Sequence, residues 1–235
     1  MRAAFLFFMS VGMPLFAPSG DRGVMPQASQ DLLFLHAAIF QRLEVSFADT
    51  TTIFVESNKC VDSKARVGCV VGLVNAPIDR VWKIITDYRK YTQWIPRCTR
   101  SVVVSPKIIP SLSDSSGFPL SMDISQCTVE RSIPSETTLV YSEIDIIFPV
   151  GRIRSILEIT SDSTDFTICW RKLASDMTIY EGAWHVISSG DQTLVVCMMR
   201  YQLNVWLPPF MIHGAIRYYL PQMITTLRQR VHEEP

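Results

Sequence analysis

The four histidines are the first candidates for acid–base chemistry in this chain. A general base must lie within hydrogen-bond reach of the proton that it removes, so its position on a strand or helix matters. His185 follows Trp184 in a strand-like segment, and alternation therefore predicts it on the opposite face. His36 and His232 lie in terminal segments, and His213 lies one position away from a helical apolar stripe. We predict no catalytic histidine.

Six cysteines could bind a metal or form disulfides. They are Cys60, Cys69, Cys98, Cys127, Cys169 and Cys197. Their spacing contains no Cys-x-x-Cys pair and no histidine at ligand distance, so it gives no support to a metal site. In an oxidising compartment six cysteines allow many pairings that sequence cannot separate. Buried free thiols are the favoured interpretation, because cysteine is among the most buried residue types.

Charged residues on two strand-like segments could stabilise a surface or recognise a ligand. Glu143 and Asp145 share one strand face, and Arg152, Arg154 and Glu158 follow after a Phe-Pro-Val-Gly turn. This pattern favours cross-strand ion pairs on an exterior face. An arginine inside the fold would instead indicate recognition of an acidic or carbonyl group. No nucleophile elbow, phosphate loop or zinc-protease motif is present, so no catalytic residue and no cofactor are predicted.

The overall composition is that of one globular domain. Lys plus Arg and Asp plus Glu both number 22, and 48% of the residues are hydrophobic. The balanced charge leaves no long-range positive field to attract phosphates, so nucleic-acid binding is excluded. The same balance leaves transient membrane contact open, because a total does not report a local patch.

The start of the chain is typical of an export signal. One arginine precedes an apolar run over residues 3–16, and small residues follow it. The run is shorter than the ~20 residues that a membrane-spanning helix needs, and it contains a proline. We predict a signal peptide over residues 1–19 and a periplasmic or secreted protein. The alternatives are a misplaced start codon or a buried amino-terminal helix, with which the protein would be cytoplasmic.

Periodic patterns predict the elements that follow. Residues 20–62 form an N-terminal extension with a short amphipathic helix over 31–43 and a β-rich segment from Thr51. Alternation over 65–74 predicts the first long strand, and Pro77 opens a helix with Ile78, Val81, Trp82 and Ile85 on one face. That helical stretch ends before Pro96, which disfavours helix at the residue that precedes it.

The rest of the chain reads as an antiparallel meander and a terminal helix. The strand-like segments lie at 100–104, 121–129, 138–148, 152–160, 165–170, 179–187 and 193–203. Turn-forming residues separate them at 113–117, 148–151, 161–165 and 188–191. A helix is predicted over 208–231, with Pro221 introducing a kink near Arg217. Its apolar stripe needs a partner surface.

Three segments resemble the START-like (SRPBCC, helix-grip) superfamily, of the coenzyme-Q-binding and polyketide cyclase/dehydrase type. Residues 74–96 are similar in their Ala-Pro step, Val-Trp pair, Thr-Asp-Tyr and final proline. Residues 181–203 resemble the Gly-x-Trp strand and Gly-Asp turn, and 206–231 resemble the terminal helix with its Leu-Pro step. The resemblance implies an α+β domain over 63–232, with a curved antiparallel sheet wrapped around a long C-terminal helix. Two short helices follow the first long strand.

The resemblance also implies an apolar cavity between the sheet and the terminal helix. Strand alternation and the helical stripe select the residues that would line it, which are Trp82, Ile85, Trp94, Trp184, Val195, Cys197, Met199, Tyr201, Ile216, Leu220, Met223 and Leu227. Residues 91–96 and the start of the terminal helix would form the gate. Without the resemblance, such stripes are more often ordinary core. Gly182 marks either a close backbone approach to a ligand or helix, or a bulge.

Three functions follow as hypotheses. The first is binding or transport of an apolar molecule such as a quinone, isoprenoid, lipid or polycyclic aromatic. The second is a polyketide cyclase or dehydratase, which needs a polar residue inside the cavity, with Tyr201 and Tyr141 as candidates. The third is a non-catalytic protein-interaction module. The first is favoured, and an enzyme is the less favoured interpretation.

Overall fold

The computed structural model describes residues 52–57, 65–107, 137–146 and 150–233. All of them belong to the compact unit Leu43–Pro235. Several predictions fall outside the described residues: the signal peptide at 1–19, the helix at 31–43, the turn at 113–117, the strand at 121–129, and residues His36, Cys60 and Cys127.

Eight strands form one antiparallel sheet in this part of the chain. They are β1 (Thr52–Ser57), β2 (Arg66–Val74), β3 (Cys98–Val104), β4 (Thr137–Asp145), β5 (Arg152–Asp162), β6 (Thr167–Ser175), β7 (Met177–Ser189) and β8 (Gln192–Leu203). Their order is β1-β2-β8-β7-β6-β5-β4-β3. Consecutive strands from β3 to β8 are neighbours, which confirms the predicted meander. The last strand, β8, pairs with β2.

The hairpin turns use the residues that the sequence pointed to. Gly190 joins β7 to β8 with a φ of 67°, a left-handed conformation that glycine adopts without strain. Between β5 and β6 the carboxylate of Asp162 accepts a hydrogen bond from the backbone N–H of Thr164 at 2.8 Å. Such turns hold β5 beside β6 and β7 beside β8.

Four helical segments complete the described fold. They are α1 (Ile78–Thr86), a 3-10 turn (Tyr88–Lys90), α2 (Tyr91–Trp94) and α3 (Pro209–Glu233). The two short α-helices after the first long strand agree with the predicted architecture. On α1 the buried face is Val81, Ile84 and Ile85, whereas Trp82 is only half-buried and packs edge-on against Phe166.

The C-terminal half of α3 packs tightly against the sheet. Ile224, Leu227 and Val231 are buried there in the main hydrophobic core. A Cβ at Gly72 on β2 would collide with the side chain of Ile224, so the absence of a side chain at Gly72 lets the helix approach. Arg228 donates a hydrogen bond from its Nε to the carbonyl of Leu73 at 2.8 Å. This half of the helix is therefore fixed to β2.

A buried hydroxyl ties β8 to the turn that leads into α1. Thr193 is fully buried and donates a hydrogen bond to the carbonyl of Ala76 at 2.7 Å. We expect Thr193→Val, which keeps the shape but leaves this carbonyl unpaired, to lower the free energy of unfolding by about 1–3 kcal/mol in urea denaturation. Thr160→Val, at an exposed position of β5, is the control and should change it by about 0.5 kcal/mol or less. Equal effects at the two sites would contradict this role.

Candidate ligand cavity

A cavity of about 410 Å³ lies between the sheet and the first half of α3. Its wall is built from inward-facing residues of β3 to β8, from α2 and the segment after it, and from α3. Because the second half of α3 is held against β2, the space remains only where the helix begins. This volume falls within the range of small-molecule sites, about 300–1,000 Å³.

Seven of the twelve predicted residues line this cavity. They are Trp184, Cys197, Met199, Tyr201, Ile216, Leu220 and Met223. Alternation along β7 and β8 places the strand residues on the side that faces the helix, and spacings of three and four place the others on one side of α3. The structure thus brings these seven side chains together, and their contact with a ligand stays a prediction.

The other five predicted residues lie outside the cavity lining. They are Trp82, Ile85, Trp94, Val195 and Leu227, all part of the main core or packed against it. Ile85, Val195 and Leu227 are completely buried, because the helix touches the sheet and α1 at this end and leaves no space. These side chains support the cavity from behind.

An aromatic group closes the inner end of the cavity. Trp94 is 2% exposed and lies behind two residues of the wall, Tyr91 and Trp184. Its ring centroid is 5.2 Å from that of Tyr91 in an edge-on contact, and 6.0 Å from that of Trp184. Such pairs add to the stability of the buried rings. Trp94 therefore holds two wall residues in place without reaching the cavity itself.

Gly182 allows a second tryptophan to enter the wall. It is paired with Trp170 of β6, and a Cβ at this position would collide with the Trp170 indole and with the carbonyl oxygen of Met198. The group that approaches this backbone is therefore a side chain of the neighbouring strand rather than the helix, and the alternative of a bulge is wrong, because no register shift occurs there. Trp170 lies over the bare backbone and lines the cavity.

Charge in the described lining is confined to Arg97 and Asp145 at the mouth. Arg97 is exposed, has a φ of 60° and places its guanidinium 5.3 Å from the ring centroid of Tyr219. Asp145 accepts a hydrogen bond from Arg152 at 2.8 Å, which lowers the pKa of its carboxyl. Both charges are thus engaged by protein groups, and the interior contains neutral residues.

The polar side chains inside are uncharged phenols, thiols and a hydroxyl. Burial raises the pKa of Tyr91 well above its ordinary value, and the nearby Tyr88 raises it further. Burial also raises the pKa of the Cys197 thiol and that of the Cys98 thiol, the latter to about 11. The hydroxyl of Tyr91 donates to the carbonyl of Ile85 at 2.8 Å. These groups therefore stay protonated at physiological pH.

The four described cysteines are free thiols. Cys69, Cys98 and Cys197 are buried, and Cys169 is half-buried. The prediction of buried free cysteines is thus confirmed at the first three positions, whereas Cys169 is free but only half-buried. In the described ranges, no group of three or more His, Cys, Asp or Glu side chains could hold a metal ion.

The predicted ion pairs form between β4 and β5, and Asp145 also borders the mouth of the cavity. Arg152 pairs with Glu143 at 3.0 Å as well as with Asp145, which confirms cross-strand pairing between β4 and β5. Arg154 instead pairs with Asp176, at the turn between β6 and β7, at 3.0 Å. Such half-exposed pairs contribute modestly to stability.

Two further residues proposed for chemistry lie away from the cavity. His185 is on the face opposite to Trp184, as predicted, with its Nδ1 3.2 Å from the hydroxyl of Thr167. Tyr141 is not an interior cavity residue, because β4 turns it to the other face, where its hydroxyl donates to Glu143 at 2.7 Å. Of the two candidate tyrosines, only Tyr201 lines the cavity.

In the part of the chain covered by the structure, no helix combines the length and apolar character needed to cross a membrane.

Comparisons with known proteins agree with this architecture. Human STARD10 is 8% identical with a TM-score of 0.61, covering 92% of this chain and 84% of that chain. The STAR-related lipid transfer protein of Xanthomonas axonopodis is 13% identical with a TM-score of 0.55, and the match covers 80% of this chain and 97% of that chain. The Zhui aromatase/cyclase of Streptomyces sp. R1128 is 12% identical with a TM-score of 0.52, and the match covers 78% of this chain and 95% of that chain. These likenesses show the helix-grip fold.

Family assignment comes from the sequence itself. No curated protein matches the chain significantly. Residues 74–228, about two thirds of the chain, match the family described as polyketide cyclase / dehydrase and lipid transport. This match confirms the START-like resemblance of the three sequence segments, and the chain belongs to the polyketide cyclase/dehydrase and lipid transport family.

Proposed function

We propose that this protein binds and carries an apolar small molecule in the cavity between its sheet and α3. The observation that carries the proposal is a cavity of about 410 Å³ whose described interior is lined by aliphatic, aromatic and other uncharged side chains. Burial of apolar surface provides about 25 cal/mol per Å², enough for stable binding of a compact ligand. The lipid transport in the family description supports the same function.

The proposed ligands are quinones of the coenzyme Q kind, isoprenoids, lipids and polycyclic aromatics. Flexible thioethers of Met199, Met211 and Met223 line the wall and can adapt to different apolar shapes. Flat rings could lie against Trp170 and Trp184, because offset stacking of aromatic rings is favourable.

Native mass spectrometry of the purified protein tests the proposal directly. We expect a complex heavier than the polypeptide by one small molecule, which organic extraction releases and a second mass measurement identifies. A protein that is reproducibly empty, and that takes up none of the proposed ligand classes on incubation, would refute carriage.

A substitution that fills the cavity provides the matched comparison. Ala215 lies in the wall on α3, whereas Gln229 is exposed on the same helix. We expect Ala215→Trp to reduce the amount of bound ligand about tenfold or more. The added indole would occupy cavity space that the ligand needs, and the closely packed wall has no other room for it. Gln229→Trp should retain normal loading in the same measurement. Equal loading of the two variants would place the ligand elsewhere.

We further propose that the mouth of the cavity contacts membranes. The large exposed apolar side chains of the described residues are Val205, Trp206, Phe210 and Tyr218. The first three lie at or just before the start of α3, and Tyr218 lies about two turns further along the helix. Phe210 is 74% exposed and also lines the cavity, so the exposed patch continues into the interior. Aromatic rings partition well into the membrane interface, and a patch of this kind indicates an interaction site.

Vesicle binding checks this membrane contact. Replacing Trp206 and Phe210 together by alanine should weaken co-sedimentation with phosphatidylcholine vesicles about tenfold or more, because each ring contributes roughly 1.5–3 kcal/mol when buried. Gln229→Ala, on the exposed far part of α3, should leave it unchanged. Undiminished binding of the double variant would exclude this surface as the contact.

Export remains a separate proposal that rests on the apolar segment at 3–16. We propose that residues 1–19 are removed and that the protein acts outside the cytoplasm. Mass measurement of the intact protein from the periplasmic or secreted fraction should show a chain that begins near residue 20. An intact amino terminus in a cytoplasmic fraction would contradict export.

A further inference from the structure

Two hydroxyl groups on the cavity wall have no hydrogen-bond partner in the described parts of the chain. They belong to Tyr180 on β7 and Ser142 on β4. Neither oxygen is sealed by protein atoms, in contrast to the indole nitrogens of Trp94 and Trp170, which are completely enclosed without a partner. An unsealed, unpartnered hydroxyl on the wall of a cavity is available to a ligand.

Tyr180 presents its phenol to a part of the wall whose other side chains are uncharged. Its ring packs against the main core and against the smaller cluster of Ile153, Met177 and Tyr201. Burial raises the pKa of the phenol, and the nearby thiols of Cys197 and Cys98 raise it further. The hydroxyl is therefore a neutral donor. Tyr91, another phenol of the wall, already donates to a backbone carbonyl.

Ser142 is the unsatisfied member of a row of serines. Ser142, Ser155 and Ser175 are aligned across β4, β5 and β6, and all three are buried. Ser155 and Ser175 bond to each other at 2.8 Å, and Ser175 also accepts the backbone N–H of Met177 at 3.1 Å. Ser142 is 6% exposed and makes neither kind of hydrogen bond within the described residues. A ligand oxygen at the cavity wall could accept the hydrogen bond that this hydroxyl does not make to the protein.

The charge distribution limits what these hydroxyls can bind. A carboxylate beside Tyr180 or Ser142 would be buried without a compensating cation, at a large desolvation cost. The charged lining residues in the described ranges, Arg97 and Asp145, lie at the mouth and interact with Tyr219 and Arg152. A neutral carbonyl oxygen has no such cost and accepts hydrogen bonds from a phenol or an alcohol.

We propose that the hydroxyls of Tyr180 and Ser142 bind neutral carbonyl oxygens of the ligand, which makes an apolar ketone, quinone or ester the preferred cargo. This inference rests on the proposed carrier function and narrows its ligand class. Quinones carry such oxygens, whereas hydrocarbon isoprenoids lack them and fatty acids carry a charge. Tyr180 and Ser142 are thus specificity-determining residues.

Three probes with one tricyclic ring system separate the possibilities: fluorene, 9-fluorenone and fluorene-9-carboxylate. In equilibrium dialysis, the wild-type chain should bind 9-fluorenone about three- to tenfold more tightly than fluorene, as expected for one net hydrogen bond. It should bind the carboxylate most weakly of the three. Tyr180→Phe and Ser142→Ala should each reduce the ratio of fluorenone to fluorene affinity, and together they should bring it near one. Tyr141→Phe removes a phenol from the opposite face of the sheet and should keep the wild-type ratio.

The probes distinguish failure of this inference from failure of the carrier function. Fluorene binding reports an apolar cavity in every variant, and thermal melting reports the fold. If fluorene binds but the ratio is the same in the wild type and the two cavity variants, or if the carboxylate binds tightest, the carbonyl inference is overturned and carriage stands. If none of the three probes binds to the folded wild type, the proposed function and this inference both fail.

Discussion

Gly182→Ala is expected to lower the free energy of unfolding by about 1–3 kcal/mol or more in urea denaturation. The new Cβ would meet two obstacles, the indole of Trp170 and the carbonyl oxygen of Met198. The indole could rotate away only by leaving the cavity wall. The carbonyl belongs to the backbone of β8, which is paired on both sides, so relieving the collision requires distortion of the sheet.

Two comparisons make this result specific. Trp170→Phe removes the outer ring atoms but leaves the carbonyl of Met198, so the double variant with Gly182→Ala should regain only part of the stability. Gly214→Ala, inside α3, is the matched control, because a Cβ there meets nothing within 4 Å. It should raise stability by about 0.5–1 kcal/mol, since glycine is unfavourable in a helix interior. Effects of the same sign at Gly182 and Gly214 would contradict the close approach.

Ile224→Ala is expected to have the second large effect, a loss of about 2–5 kcal/mol of stability. Ile224 is completely buried, and its side chain covers Gly72 of β2. The substitution removes three carbon atoms, so the stabilisation from their burial is lost. A void is left as well, because the hydrogen bond of Arg228 holds the helix and prevents it from moving in to fill the space. Urea denaturation measures the loss.

Coupling between Gly72 and Ile224 checks that this contact is direct. Gly72→Ala alone should destabilise, because its Cβ would collide with the Ile224 side chain. In the double variant the alanine at 72 occupies space that the isoleucine has vacated, so the combined loss should be smaller than the sum by about 1 kcal/mol or more. Strict additivity would show that helix and strand do not meet at this point.

The face assignments of β7 and β8 could be predicted because their alternation is regular. Trp184 and His185 fall on opposite faces, and Cys197 and Met199 share the side that faces α3. The same alternation, extended by one step from Gly182, would also have identified Tyr180. The predicted face began at Gly182, however, and did not include Tyr180.

The inward face of β4 could not be predicted in the same way. Leu139, Val140, Tyr141 and Ser142 are all buried, because a second hydrophobic cluster covers the other face of this part of the sheet. When both faces are apolar, alternation carries no information about direction. For this reason Tyr141 was considered as an interior residue, while Ser142 was missed.

How far the cavity extends along α3 could not be predicted from the sequence either. Leu220 and Leu227 belong to one continuous stripe, yet Leu220 lines the cavity and Leu227 lies in packed core. What separates them is the approach of the helix to Gly72, a contact between segments about 150 residues apart in the chain. Sequence periodicity describes one helix or strand at a time and does not reveal a contact between two of them.

The placement of the tryptophans gives the protein an optical reporter of its own cargo. The chain has five tryptophans; Trp170 and Trp184 line the cavity, and Trp94 lies behind Trp184. Trp206 is 85% exposed and would add a solvent-relaxed emission that hides changes inside. With Trp206→Phe the remaining fluorescence would come mainly from indoles in or near the core. A ligand that absorbs in the near ultraviolet would quench that light on entry, so loading and release could be followed in real time without a label.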